Sequence, residues 1–292
     1  MKAVIIVNPV SGRKRPLQAL EILLSQQPFP DWEVELIPTT GPGNAGAIAR
    51  ELCLRPPDLL AVCGGDGTMN EVVSAVPRPP CPVALLPAGT ANVLARELKL
   101  PEDLKEALAI AFERRVRMVD LGELKSQSPR RFLLMAGIGF DAHVVAATNT
   151  RSKRKWGIVA YYFSTARSVL TYPFPEFQIA GGGESISAVT CIAANAAKYG
   201  GGLALTPGAN MTDGLLDILA IQSGSRIGLL RFLLSTRLGK PRPYPFLRRF
   251  RSASLAVDGP EGVQVQVDGE LSGSIPAEIT LSPGSFPLAV RA

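Results

Sequence analysis

Apolar and polar segments alternate regularly along the first hundred residues of the chain. Short apolar runs with the length of buried strands lie at 3–7, 59–63 and 83–86. Between such runs, apolar positions recur at i, i+3, i+4 and i+7, as in 45–52, which is the spacing of one helix face. This order of strands and helices predicts a doubly wound parallel sheet, in which every strand-to-helix loop lies at the same sheet edge.

The pattern changes after about residue 122. A helical segment at 101–114 is followed by a strand and by the polar sequence KSQSPRR, and only two clear helical stretches occur beyond it. Short strands bounded by glycine-rich turns are predicted at 132–137, 177–180, 186–195, 215–221, 254–257 and 263–267. We therefore predict an α/β nucleotide-binding domain over 1–122 and a mainly antiparallel β domain over 123–280.

A glycine-rich loop, CGGDGTMNE, follows the apolar run at 59–63. Glycines allow backbone amides to approach an anion, and a helix that begins near Thr68 directs free N–H groups and its dipole toward the same point. Asp66 would repel a polyphosphate unless it holds Mg²⁺ or orients a hydroxyl, so it favours phosphoryl transfer over dinucleotide binding. The alternative is a plain strand-to-helix turn in which Asp66 is the N-cap.

Two further loops follow predicted strands, at 8–13 and at 87–90. In a doubly wound sheet these loops converge with the loop at 63–71. The chain lacks the G-x-x-x-x-G-K-[ST] pattern, so the predicted phosphate site is not an ordinary P-loop.

Composition favours a two-domain protein with a large core, since 46% of its 292 residues are apolar. No apolar run has the length of a transmembrane helix, and the run at 3–7 is too short for a signal peptide, so we expect a cytoplasmic location. Four scattered cysteines indicate buried reduced thiols and no structural zinc. His143 is the only histidine, which excludes a histidine cluster for a metal.

Positive charge is concentrated in two segments, although the net charge is only +6. The segment 226–251 has eight basic residues and no acidic one, and its Ile227, Leu230 and Leu234 share one helical face. A second basic run at 151–155 precedes Trp156. These features predict peripheral contact with an anionic membrane surface, with solvated surface helices as the alternative. The chain contains no recognised nucleic-acid-binding motif.

Several motifs occur together and in a fixed order along the chain. The first half contains NPVSG at 8–12, Thr39 with GNA at 43–45, GGDGTMNE at 64–71 and PAGTAN at 87–92. The second half contains GIGFDA at 137–142, YGGGLALTPGANMTDGLLDI at 199–218 and VDGE at 267–270. In this combination the chain resembles the diacylglycerol kinase catalytic family, which includes bacterial lipid kinases and, more distantly, sphingoid-base kinases.

The resemblance implies an activity and refines the expected fold. The activity is ATP- and Mg²⁺-dependent transfer of the γ-phosphate to the hydroxyl of diacylglycerol or a related lipid alcohol. The second domain would be a β-sandwich, strands within 281–292 would return to the first domain, and the substrates would lie between the domains.

The resemblance also assigns residues to the site. Glu270 would be the general base for the lipid hydroxyl, with Asp268 as the fallback, and Asp66 would act at the phosphate. Structural Mg²⁺ would be held by Asp213 with main-chain oxygens of Asn210 and Leu215. The nucleotide contacts would be Asn8, Ser11, Gly12, Thr39, Gly64, Gly65, Asp66, Gly67, Thr68, Asn70, Glu71 and Thr90.

Three alternative functions stay open. A sphingoid-base kinase would use the same residues with another acceptor, and an NAD kinase would share the GGDGT loop. A nucleotide-binding, membrane-associated regulatory module would be the non-enzymatic alternative, but Asp66, Asp213 and Glu270 are all present and favour activity. Acyl-chain preference and assembly, including a homodimer, are left open.

Overall fold

The computed structural model describes residues 1–12, 15–26, 28–148, 158–200, 205–222, 226–238 and 243–291, with side chains omitted for 158–163. The chain divides into two compact units. Unit 1 contains Met1–Val119 and Gly284–Ala292, and unit 2 contains Asp120–Pro283. The sequence-based boundaries lie three residues away from these divisions. The predicted basic run at 151–155 and Trp156 lie outside the described residues.

Unit 1 is an α/β domain built on a parallel sheet. Its strands are β1 (Lys2–Val7), β2 (Glu33–Pro38), β3 (Leu59–Gly64) and β4 (Val83–Pro87). Its helices are α1 (Pro16–Ser25), α2 (Asn44–Leu52), α3 (Asp66–Ala75), α4 (Val93–Glu97) and α5 (Leu104–Phe112). The strands pair in parallel in the order β2-β1-β3-β4. The alternation of strands and helices predicted from the sequence is confirmed.

The core of unit 1 explains why the central strand has no polar residue. All six residues of β3 are buried, so its sequence is a continuous apolar run and does not alternate. Burial of each large apolar side chain stabilises the fold by about 1.5–3 kcal/mol. At the sheet edge, the Trp32 ring stacks on Phe112 with centroids 4.5 Å apart.

Unit 2 is mainly β. Its complete strands are β6 (Arg130–Phe132), β7 (Met135–Gly139), β8 (Phe177–Gly181), β9 (Glu184–Ala188), β10 (Thr190–Ala194), β11 (Leu216–Ile221), β12 (Leu247–Ser252), β13 (Ser254–Asp258), β14 (Gln264–Val267) and β15 (Glu270–Ser274). Two strands, β5 (Val116–Lys125) and β16 (Ala277–Ala289), run across the unit boundaries. The helices are α6 (Phe140–Ala147), α7 (Ile158–Thr171) and α8 (Arg226–Arg237).

The strands of unit 2 form two antiparallel sheets. One has the order β12-β11-β10-β7-β14-β15, and in the other β16, β13, β8 and β9 pair in sequence. Apolar residues from both sheets form one buried cluster. Unit 2 is therefore an antiparallel β-sandwich, and the predicted fold class is confirmed.

Two details depart from or extend the sequence-based expectation. The single strand predicted at 186–195 is two strands, because β9 pairs with β8 in one sheet and β10 joins the other sheet. The chain changes sheet at Val189, whose N–H donates to the Ile221 carbonyl. At the other end of the chain, Leu288 of β16 pairs in parallel with Val83 of β4 within unit 1.

Within the described ranges, no helix is both long enough and apolar enough to cross a bilayer. All four cysteines are free thiols, and only Cys53 is not fully buried. Burial raises the pKa of Cys63 to about 12 and that of Cys81 to about 11, so these thiols are unreactive at neutral pH.

Candidate active site

The three glycine-containing loops of unit 1 converge, as the parallel sheet predicts. Asn8 Nδ2 in the first loop donates to Thr68 Oγ1 at 3.0 Å. Gly12 has a φ of 61°, and a Cβ at this position would clash with the Ala88 carbonyl of the third loop. The first loop therefore contacts both of the others.

Glycines also allow the central and third loops to pack on each other. A Cβ on Gly89 would lie 2.5 Å from Gly65 Cα, and a Cβ on Gly65 would lie 3.1 Å from Gly89 Cα. Gly64 is similarly restricted, since its Cβ would lie 2.7 Å from the Thr68 side chain. The sequence suggested that these glycines admit an anion; the structure adds that they let the loops approach each other.

Asp66 lies at the first position of α3 and connects two loops. Its two carboxylate oxygens accept the N–H groups of Val93 and Leu94, each at 3.0 Å, so it caps α4. Gly65, and not Asp66, is the N-cap of α3. The predicted action of Asp66 on phosphate or Mg²⁺ stays a prediction.

The remaining predicted nucleotide contacts lie in these loops or, for Thr39, at the end of a neighbouring strand. Glu71 Oε2 accepts the Ala45 N–H at 3.1 Å and so caps α2, while the Thr39 N–H donates to the Val7 carbonyl at 2.8 Å. Asn70 is buried, and Thr90 is exposed. Within the convergent loops, Ser11, Gly12 and Gly67 are at least partly accessible.

Asn92 is a candidate site residue that the sequence reasoning missed. Its backbone has a φ of 46°, and its Nδ2 donates to the Gly89 carbonyl at 3.1 Å. Its Oδ1 is buried and has no hydrogen-bond partner in the described part of the chain. An unpaired buried acceptor is costly, which makes it a candidate for binding a ligand donor. Its position in PAGTAN was visible, but its backbone conformation was not.

In unit 2, the VDGE segment forms a tight hairpin between β14 and β15. Asp268 and Gly269 have φ values of 47° and 84°, as a type I′ turn requires. The Asp268 carboxylate accepts three backbone N–H groups at 2.9–3.0 Å, from Leu133, Leu134 and Met135. Asp268 therefore anchors the turn, and this geometry favours Glu270 over Asp268 as the general base.

Glu270 is the first residue of β15 and is accessible to solvent. Its Oε2 lies 2.9 Å from Arg130 Nη1, and about 40% of each side chain is exposed. An exposed ion pair of this kind adds little stability. It orients the Glu270 carboxylate while leaving it accessible to a ligand.

The predicted structural Mg²⁺ site contains an arginine. Arg251 forms an ion pair with Asp213, and its Nε lies 3.3 Å from Asp217 Oδ2. The other Asp213 oxygen accepts the Leu215 N–H at 3.1 Å, and Asn210 Oδ1 accepts from Thr212. Among the described residues, no cluster of three or more histidine, cysteine or acidic side chains could hold a metal. Asp213 already has a cationic partner in Arg251, and its predicted Mg²⁺ site with main-chain oxygens of Asn210 and Leu215 stays a prediction.

Unit 2 contains an apolar cavity of about 200 Å³ that the sequence did not reveal. It is bounded by α6, α7 and α8 and by strands β10 and β11. Its walls are mostly aliphatic and aromatic, and they include Phe140, Val144, Val169, Ile192, Leu219 and Phe232. The few polar side chains in the wall include Asp141 and Tyr199. Such a lining suits the hydrocarbon part of a ligand.

Helix α8 forms one wall of the cavity and also has exposed apolar residues. Ile227, Leu230 and Leu234 are 64%, 52% and 57% exposed, and the last two also line the cavity. Not every basic residue of 226–251 is available to a membrane, because Arg248 pairs with Glu184 and Arg251 with Asp213. Lys240 and Arg242 lie outside the described residues.

Family comparisons cover almost the entire chain. Residues 2–124 match the diacylglycerol kinase catalytic domain, and residues 135–290 match the YegS C-terminal NAD kinase beta sandwich-like domain. The matched segments correspond to the α/β unit and the β-sandwich unit, respectively.

Individual proteins that are similar to this chain are also diacylglycerol kinases or lipid kinases by name. A diacylglycerol kinase of Mycobacterium tuberculosis is 29% identical, with 98% of this chain and 94% of that protein aligned. The probable lipid kinase YegS-like of Pseudomonas aeruginosa is 32% identical over 84% of this chain and 80% of its own length. A crystal structure of a diacylglycerol kinase from Bacillus anthracis superposes with a TM-score of 0.80 at 26% identity, covering 99% of this chain and 97% of that chain.

Proposed function

The chain belongs to the family of diacylglycerol kinases and YegS-like lipid kinases, and we propose that it transfers the γ-phosphate of ATP to the hydroxyl of diacylglycerol or a related lipid alcohol. The observation that carries the choice of acceptor is the apolar cavity in the unit that also contains Glu270. A soluble, polar acceptor such as NAD would gain no binding free energy from a wall of leucine, isoleucine and phenylalanine side chains.

The nucleotide is proposed to bind at the convergent loops of unit 1. The N–H groups at the start of α3 and the unpaired Asn92 Oδ1 offer donors and an acceptor of the kind that a nucleotide requires. Mg²⁺ bound with ATP would reduce the charge on the phosphates, and Asp66 is the carboxylate in these loops that could contact it. An ion held by Asp213 with main-chain oxygens of Asn210 and Leu215 would have a structural role and would not take part in the transfer step.

Glu270 is proposed to accept the proton of the acceptor hydroxyl as that oxygen attacks the γ-phosphorus, while the bond from the γ-phosphorus to the β–γ bridging oxygen breaks and ADP leaves. A positioned general base contributes about 10²- to 10⁴-fold to the rate. Arg130 orients the carboxylate, and Asp268 fixes the turn that carries it. The backbone amides of the unit 1 loops would stabilise charge on the transferred group.

The exposed face of α8 is proposed to contact an anionic membrane surface. Apolar Ile227 and Leu230 would enter the interface, while Arg226 and Arg231 on the same helix would meet lipid phosphates. Because Leu230 and Leu234 also line the cavity, a lipid could pass from the bilayer into the cavity along this helix. The protein would then act as a peripheral membrane enzyme.

A single labelling experiment tests the acceptor class. Purified protein is incubated with ATP labelled at the γ-phosphate, Mg²⁺ and one of four acceptors: diacylglycerol, monoacylglycerol, sphingosine or NAD. We expect label on diacylglycerol, with less on monoacylglycerol. Label on sphingosine alone would replace the proposed acceptor with a sphingoid base, and label on NAD alone would overturn the lipid assignment. Label on none, despite ATP binding, would favour the regulatory module.

A further inference from the structure

A buried carboxyl group lies in the wall of the otherwise apolar cavity. Asp141 is only 6% exposed and lies in the first turn of α6. One of its oxygens accepts from the Tyr199 hydroxyl, and the other accepts from Gln266 Nε2 at 2.7 Å. Burial raises the pKa of Asp141. A buried carboxyl is costly, so its retention beside the cavity calls for an explanation beyond packing.

Gln266 connects this carboxyl to the Asp268–Gly269 turn. Its Nε2 donates to Asp141, and its Oε1 accepts the Gly269 N–H at 2.7 Å. The amide orientation is therefore fixed, because a flipped side chain would face an acceptor with its oxygen and a donor with its nitrogen. Gly269 is adjacent to Glu270, so the position of Glu270 depends on the orientation of Gln266.

Gly137 makes room for this arrangement. It lies opposite Gln266 in the pairing of β7 with β14. A Cβ on Gly137 would clash with the Asp141 carboxylate and would lie 2.6 Å from Gln266 Nε2. The backbone of Gly137 does not require a positive φ, so the glycine is needed for space. This accounts for the first glycine of the GIGFDA motif.

We propose that Asp141 is a positioning residue that acts through Gln266 to hold the Asp268–Gly269 turn, and with it Glu270, in the orientation needed for proton transfer. Because Asp141 and Tyr199 also line the cavity, an acceptor bound there contacts the same network. The catalytic part of this inference rests on the proposed function of Glu270.

The first test compares two identical substitutions on one strand. Gln266→Leu removes both hydrogen bonds, whereas Gln264→Leu changes the residue two positions earlier on the same strand. We expect kcat to fall about 10²-fold in Gln266→Leu, as for a catalytic group displaced by about 1 Å, with KM for ATP unchanged. Gln264→Leu should retain kcat. An unchanged kcat in folded Gln266→Leu, or an equal loss in Gln264→Leu, would refute the proposal.

A conservative variant of Asp141 distinguishes a positioning role of this side chain from a role of its negative charge. In Asp141→Asn, the amide oxygen can accept from Gln266 while the amide nitrogen donates to the Tyr199 oxygen, so kcat should stay near the wild-type value. Asp141→Leu should resemble Gln266→Leu. Gly137→Ala should also lower kcat, whereas Gly208→Ala should not, because a Cβ there meets only Asp217 Oδ1 at 3.7 Å. A loss in Asp141→Asn as large as that in Asp141→Leu would contradict the positioning role.

A readout independent of activity completes the test. Amide hydrogen exchange of the segment 267–271 should accelerate in Gln266→Leu and Asp141→Leu and stay unchanged in Gln264→Leu. Unchanged exchange in all three would refute the positioning role. Accelerated exchange in a protein that phosphorylates no lipid would support the positioning of the turn and refute only the proposed function.

Discussion

The nucleotide loops of unit 1 and the acceptor region of unit 2 are constructed differently. In unit 1 the convergent surfaces are backbone: Gly65 packs on Gly89, and Asp66 binds two main-chain N–H groups. In unit 2 the chemistry lies in side chains from distant segments, such as Glu270 with Arg130 and Asp141 with Gln266. A backbone site can be encoded in short motifs, whereas a side-chain site depends on the tertiary fold.

This difference predicts where single substitutions act most strongly. Main-chain donors in unit 1 survive any side-chain change, so a substitution there acts by moving a loop or by removing one carboxylate. In unit 2, one side chain can remove a chemical step altogether.

Glu270→Gln should abolish most of the activity. Glutamine retains the shape of the side chain but cannot accept a proton, so kcat should fall about 10²- to 10⁴-fold while ATP affinity stays the same. Initial rates with diacylglycerol and calorimetric titration with ATP measure the two quantities.

Glu278→Gln is the matched control for Glu270→Gln. Glu278 also forms an exposed ion pair, with Lys125 at 3.1 Å, and it should tolerate the change. Asp268→Asn should instead lower the melting temperature, because three N–H groups depend on that carboxylate. A kcat equal to the wild-type value in Glu270→Gln would show that Glu270 is not the general base.

Asp66→Asn tests whether a single carboxylate in the unit 1 loops contributes to phosphoryl transfer. If Asp66 contributes charge to phosphoryl transfer, kcat should fall about 10²-fold, the loss typical of one electrostatic group in an active site. Asp103→Asn is the control, because Asp103 likewise accepts a backbone N–H at the start of a helix, from Glu106 at 3.0 Å. If Asp66→Asn changes only the melting temperature, its role is limited to capping α4.

Ile227→Asp tests the proposed membrane face. If the membrane interface buries part of the Ile227 side chain, aspartate at this position removes apolar surface from that interface. Activity on anionic vesicles should then fall about tenfold, and activity on detergent-dispersed lipid should stay unchanged. Ile22→Asp is the control, since Ile22 of α1 is 58% exposed, compared with 64% for Ile227. Equal losses in vesicles and detergent would argue against membrane contact by α8.

The same contrast explains how much the sequence could predict. The alternation of apolar runs and helices predicted the parallel sheet, and the convergence of the glycine loops followed from topology. The cavity was not predictable, because Phe140, Leu219 and Phe232 are indistinguishable in sequence from other core residues. Valine and glutamine alternate at 263–267, yet Gln266 is buried, because α6 packs against β14. Its partner Asp141 lies 125 residues away.

The smallest expected effect concerns the predicted Mg²⁺ site, where the Arg251 guanidinium already pairs with Asp213 and Asp217. Arg251→Met would leave Asp213 and Asp217 without the guanidinium, so Mg²⁺ should raise the melting temperature of this variant by about 2–4 °C, equivalent to roughly 1 kcal/mol, and that of the wild type by less. Arg248→Met, which breaks the neighbouring pair with Glu184, should respond like the wild type. A Mg²⁺ shift in the wild type equal to that of Arg251→Met would instead mean that the ion binds beside Arg251, as the family resemblance implied. The side-chain contacts of Asp213 favour the first outcome, since one of its oxygens pairs with Arg251 and the other accepts the Leu215 N–H.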